Sequence, residues 1–160
     1  MTAGEGNPRK KKPAAKREGR AAGDSRRAPA ALLVAAWFIP GLGHWVLGKK
    51  KRAAVFAAVI VSAFVTGILL QGEIGTPRPQ SPFSWLAAFA CLGNGVLAVG
   101  RLIWLNGLGG LVSSLPFDLQ GGGSPSAAAF AYGNTFLYTA GLMNLLAVLD
   151  VSDIVRGDKD

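Results

Sequence analysis

Charge is nearly missing from the middle of this chain. Between Arg52 and Asp150 only Glu73, Arg78, Arg101 and Asp118 are charged, although the 160 residues carry 17 Lys/Arg and 9 Asp/Glu in all. A soluble domain covers itself largely with polar and charged side chains. A stretch this long without them has no solvated surface, which excludes a soluble globular domain. The chain therefore reads as an integral membrane protein, too short for two sizeable domains. Histidine is scarce too: His44 is the single one, so a His-rich metal site is excluded. Cys91 is the single cysteine, so neither an intramolecular disulfide nor a CxxC zinc or redox pair can form. No cofactor is expected.

What is present is a series of uncharged runs, at residues 28–48, 53–72, 79–100, 102–117 and 119–149. A membrane-spanning helix needs about 20 apolar residues. Residues 53–70 hold 10 Val/Ile/Leu/Phe, which contribute roughly −3 to −6 kcal/mol on the insertion scale with no charge opposing them. Residues 83–100 are nearly as apolar, with Asn94 the one strongly polar side chain. In the last run the Gly/Ser/Pro stretch 121–126 reads as loop, leaving a span over about 127–149. The first run is interrupted by Pro40-Gly41-Leu42-Gly43 and the fourth by Asn106-Gly107-Leu108-Gly109-Gly110. The pattern predicts an all-α membrane protein with three to four transmembrane helices and a Pro/Gly-broken first segment. Its parts are a basic tail at 1–27, one helical membrane domain at 28–150 and a polar C-terminal tail at 151–160.

The tail has 9 Lys/Arg and no Val, Ile, Leu or Phe, so it cannot bury enough apolar surface to offset its ordering entropy and reads as disordered. It has no aromatic residue to stack a base, so nucleic-acid binding is not expected. Ser25-Arg26-Arg27 resembles a twin-arginine export signal, but no cleavage site follows and further apolar segments do. The remaining reading is an orientation signal and a tether to anionic lipid headgroups.

Several chemical motifs fail on inspection. Gly43 to Lys50 fits GxxxxGK, but Lys50 stands where a phosphate loop needs Ser or Thr for magnesium. A Ser–His–acid triad could draw on His44, yet no GxSxG elbow exists. Asp150 and Asp153 resemble a membrane phosphotransferase's paired aspartates, without the glycine that follows or the second acidic pair. Asp118 and Asp150 have nothing in the sequence to bring them together as a dyad. No catalysis is expected.

Small residues carry packing information instead. Ala54, Ala58, Ser62 and Thr66 recur every four residues. Ala87, Cys91 and Gly95 do the same, and Gly133 and Gly141 lie two such steps apart. Close backbone approach carries helix association in lipid, so these ridges are expected contact faces, within one chain or between copies. Asn94, Asn134 and Asn144 read as interhelical hydrogen-bonding groups, and Arg101 as a residue that snorkels to headgroups. The four tryptophans, Trp37, Trp45, Trp85 and Trp104, lie near the ends of apolar runs, which suits interfacial anchoring.

Trp37 to Gly48, with Pro40, Gly41, Gly43, His44 and Gly48 in a PGLGH-x-x-x-G pattern, resembles the opening of a family of small bacterial membrane proteins of unknown function. A closing span like Tyr138 to Asp150, with Asn144 and Asp150, belongs to the same resemblance, which covers most of residues 30–157. A looser likeness, over residues 30–70, is to the two-transmembrane-helix domain, whose aromatic–tyrosine pair after the histidine is lacking here. Neither resemblance implies an activity.

Two functions follow. The first is a non-enzymatic membrane protein acting through helix–helix contact, as a homo-oligomer or with a membrane-protein partner. The alternative is a small-molecule or ion pathway built on the broken segments 28–48 and 102–117. The expected location is the bacterial inner membrane, with several passes and a cytoplasmic N-terminus. If 28–48 dips in and returns at 40–43, fourteen basic residues fall inside against one outside, before the C-terminal pair is placed; a full crossing gives twelve against five. The charge rule favours the re-entrant path. Asp150 is expected at the membrane–water boundary, with the helix continuing past it into water.

Overall fold

The computed structural model describes residues 30–108 and 122–158. The basic tail, Asp118 and the 109–117 part of the fourth run lie outside the described residues. The chain forms α1 (30–38), α2 (Leu42–Val46), α3 (Lys50–Leu69), α4 (Pro82–Leu92), α5 (Val96–Ile103, continued as a π-turn over Trp104–Leu108) and α6 (Phe130–Arg156). It is all-helical, as the sequence predicts.

Two of these helices are long and apolar enough to cross a membrane: α3, with 20 residues, and α6, with 27. At about 1.5 Å per residue they measure roughly 30 and 40 Å, against a hydrocarbon core of about 30 Å. They run antiparallel. Gly67 near the end of α3 lies against Gly133 and Leu137 near the start of α6. At the other end, Lys51 and Arg52 share a cleft with Asp150. The α3 helix begins in the basic cluster, three residues before its uncharged run. The α6 helix continues past Asp150 as expected and stops where Gly157 takes the left-handed conformation at φ 80°.

The core between them is built from Ile60, Phe64, Leu137 and Ala140. The buried face of α3 is Ala53, Ile60, Phe64 and Gly67, one stripe of a helix wheel. Of the two contacts open to the expected ridge, within the chain or between copies, the first is not made among the described residues: Ala54, Ala58 and Ser62 are exposed and Thr66 is only half-buried. The reason is that glycine notches and large side chains together fill space better than alanines alone. Gly67 and Gly133 let the backbones meet, and Ile60, Phe64 and Leu137 supply the dispersion contact. The other small-residue positions do turn inward. Cys91, Gly95, Gly133 and Gly141 are buried and Ala87 is half-buried.

The stretch 83–100 is not one straight span. It divides into α4 and α5, bent by 105°, so the count is two full spans, or three if the bent pair is one. The break is Gly93-Asn94-Gly95. Gly95 has φ 53°, and a side chain there would strike the carbonyls of Trp37 and Phe38. Asn94 turns its amide to the Leu137 carbonyl at 3.0 Å. Gly93 sits on Gly141, about half-way along α6, so α4 stops inside the bundle. Residues on either side of this excursion are at the same end. The α4 start lies with Gly75, Arg78 and Asn134, and the Ser124 amide donates to the Gln71 carbonyl at 3.1 Å.

The first segment is broken as well. After α1 the chain turns at Pro40 and Gly41, makes the five-residue α2, and reverses at Gly48, where φ is 79°. Among its described residues, no helix is long enough to cross.

Candidate functional site

The residues singled out by the sequence converge on the junction between this first turn and the second half of α6. Pro40 is buried and ends α1, where its missing N–H and its ring cannot continue a helix. Gly41 follows at φ 83°, in the left-handed region, and a Cβ there would lie 2.5 Å from the Ala53 carbonyl oxygen. Only glycine meets both conditions. Gly43 faces Val151, where a Cβ would come within 2.6 Å. The turn is thus pressed against α3 on one side and α6 on the other.

His44 comes next, and its side chain is 1% exposed. Its Nε2 lies 2.8 Å from Oδ2 of Asp150, whose side chain is 17% exposed. A carboxylate can only accept, so Nε2 carries the hydrogen of this bond. The ring leans on Phe56 of α3, centroids 4.9 Å apart. One histidine therefore joins α2, α3 and α6. Asp150 faces a cleft of about 450 Å³ shared with Lys51, Arg52, Val55 and Phe56.

Six residues earlier on α6, Asn144 is fully buried. Its Nδ2 donates to the Trp37 carbonyl and to the Gly93 carbonyl, both at 2.8 Å. These carbonyls are at the ends of α1 and α4, where a helix leaves its last acceptors without intrahelical donors. Asn144 thus ties two helix ends to the middle of α6. Trp37 strengthens the meeting point, its indole N–H donating to the Leu92 carbonyl at 3.0 Å. Its indole is thus engaged as a cross-helix donor. Trp45 and Trp85, 54% and 59% exposed, fit the anchoring expectation better. The carboxamide oxygens of Asn94 and Asn144 are buried with no hydrogen-bond donor among the described residues.

Of the sequence-predicted residues, Pro40, Gly41, Gly43, His44, Asn144 and Asp150 belong to one connected structure. Gly48 stands apart, in open space at the reversal before α3. A His–carboxylate pair is the orienting half of a nucleophilic triad, yet among the described residues His44 bonds no hydroxyl. No group of three or more His, Cys, Asp or Glu that could hold a metal occurs among the described residues.

Sequence reasoning missed a second polar cluster at the opposite end. The Glu73 amide donates to Asn134 Oδ1 at 2.7 Å, and Arg78 reaches Glu73 at 3.5 Å. With Ser84 and Tyr138 they line a cleft of about 350 Å³. The available signal was that Glu73 and Arg78 are the only charges over residues 53–100.

A family of unknown function, DUF6677, matches residues 31–159. The chain belongs to this family. The match takes in every residue of the junction and both spans, so the turn, the two half-length helices and the α3–α6 pair all lie inside the DUF6677 region. No curated protein and no solved structure matched the chain.

Proposed function

We propose that this DUF6677 chain is a non-enzymatic protein of the bacterial inner membrane that acts by packing its α3 face against another membrane helix. The observation that carries the reading is the ridge of Ala54, Ala58 and Ser62. It is exposed although the opposite face of the same helix is buried. Small-residue ridges let helix backbones approach in lipid, where dispersion and hydrogen bonding rather than water drive association. The polar groups that suggested chemistry, His44, Asp150 and the amides of Asn94 and Asn144, are engaged in holding the chain's own helices. The proposed orientation puts Lys49–Arg52 and the end of α6 in the cytoplasm with the basic tail, because positive charge in short loops stays on that side.

Cross-linking tests the contact. In a Cys91→Ser background, Ser62→Cys is expected to give a disulfide-linked or bismaleimide-linked adduct in native membranes, and Phe83→Cys, on the exposed first turn of α4, is not. Ala58→Leu should remove the adduct by overfilling the contact. An unlinked monomer for Ser62→Cys in native membranes contradicts the reading.

A second reading has its own observation. Two broken segments meet at Asn144, where two buried amide oxygens lack donors. Broken apolar helices meeting inside a bundle are the pointer to an ion or small-molecule pathway. The breaks lie at Pro40–Gly41 and Gly93–Gly95, so the second half of the pathway would be 82–107 rather than 102–117. Ion flux through proteoliposomes of the purified chain, abolished by Asn144→Leu, would favour it over the contact reading.

A further inference from the structure

The start of α3 has four consecutive cations, Lys49 to Arg52, and no acidic residue in the helix's first turn. Helix N-termini favour acids and disfavour cations there, so this placement costs the isolated chain stability. Among the described residues, no carboxylate lies within salt-bridge distance of Lys49, Lys50 or Lys51. Two clefts open beside them. One, of about 420 Å³, is bounded by Gly48 and the four cations. The other, of about 450 Å³, passes from Lys51 and Arg52 down to Val55 and Phe56, with Asp150, bonded to His44, on its far wall. Val55 is 62% exposed, so the charged rim runs directly into an apolar, lipid-facing wall.

The depth of this feature is marked independently. Trp45 is exposed, and the Lys50 ammonium lies 5.7 Å from its ring centroid. Exposed tryptophan beside lysine at the start of an apolar helix is the pattern of the headgroup layer. Gly48 leaves the upper cleft open, with no heavy atom within 4 Å of the position a Cβ would occupy.

We propose that Lys49, Lys50 and Lys51 form a binding site for one anionic phospholipid, with the phosphate among the ammonium groups and an acyl chain along Val55. The occupant is an amphiphile because the cations and the apolar wall are continuous. A soluble anion would use the rim alone. This inference goes beyond the helix-contact reading and does not depend on it.

The test is lipid retention on the purified full chain, counted by native mass spectrometry during titration with phosphatidylglycerol or phosphatidylcholine. One bound phosphatidylglycerol is expected to persist where phosphatidylcholine is lost. Each lysine near a surface is worth about a five-fold change in anionic-lipid binding. The variant Lys49→Gln/Lys50→Gln/Lys51→Gln should therefore bind at least about ten-fold more weakly. Replacing the nine tail Lys/Arg by Gln should leave the tightly held lipid in place. Equal retention of the two lipids would overturn the proposal, as would loss in the tail variant with retention in the triple-lysine variant. Competition by inorganic phosphate at the same concentration as the lipid would also overturn it, because it would reveal a soluble-anion site.

Discussion

Gly141→Val is expected to undock α4 from α6 and to unfold most of the protein in mild detergent. A Cβ at Gly141 would fall on the Ala90 carbonyl, and one at Gly93 on the Gly141 carbonyl. Both obstacles are backbone, which cannot rotate aside as a flexible side chain can. Overpacking a well-filled site costs about 1–3 kcal/mol and occasionally more, and this position belongs at the upper end. The comparison is Gly100→Ala on α5, where no heavy atom lies within 4 Å of the new Cβ. There the change should be neutral or raise stability by up to about 1 kcal/mol, since alanine is the better helix former. Thermal midpoints followed by circular dichroism separate the two. Equal shifts would mean that α4 does not rest on Gly141.

The second large effect concerns His44 and Asp150. Asp150→Ala leaves the His44 N–H buried without an acceptor, an error worth about 1–3 kcal/mol. His44→Ala removes a ring packed on Phe56 and leaves a cavity, but Asp150 keeps partial access to solvent beside Lys51 and Arg52. Each single variant should be clearly destabilised, and the double variant should lose less than the two together. The coupling expected for groups in direct contact is about 0.5–3 kcal/mol. Asp150→Asn retains an acceptor oxygen and should recover most of the loss. Additive effects in denaturant titrations would show that the pair does not hold the turn to α6.

Much of this was legible before the structure. The spans over 53–70 and about 127–149 stand out because these stretches are long, uncharged and rich in large apolar residues, and they form most of α3 and α6. The Pro40–Gly43 break and the helix continuing past Asp150 follow equally from local chemistry. Harder to read was the break at Gly93–Gly95. Its apolar flanks satisfy a span on hydropathy, and the bend arises from Asn94 reaching the Leu137 carbonyl and Gly95 passing Trp37, both distant in sequence. Which partner the ridge would meet was out of reach for the same reason. A four-residue repeat of small side chains identifies a face that can pack closely, but which face meets the chain's own helices depends on where Gly67 finds Gly133. The pairing of His44 with Asp150, 106 residues apart, left no local trace. Both residues had been singled out separately, and only the antiparallel register of α3 and α6 brings them together.

The topology we propose has the chain cross the membrane on α3 and α6, with each of the other two apolar segments entering and leaving on a single side, the first on the cytoplasmic side and the second on the opposite side. Cysteine accessibility on the full-length protein tests it directly. In the Cys91→Ser background, Lys51→Cys, Thr76→Cys and Asp158→Cys are each exposed to a membrane-impermeant maleimide on intact bacterial cells. The account predicts that Lys51→Cys and Asp158→Cys are both protected until the cells are opened, while Thr76→Cys is labelled from outside. Labelling of Lys51→Cys and Asp158→Cys from opposite sides of the membrane would contradict it.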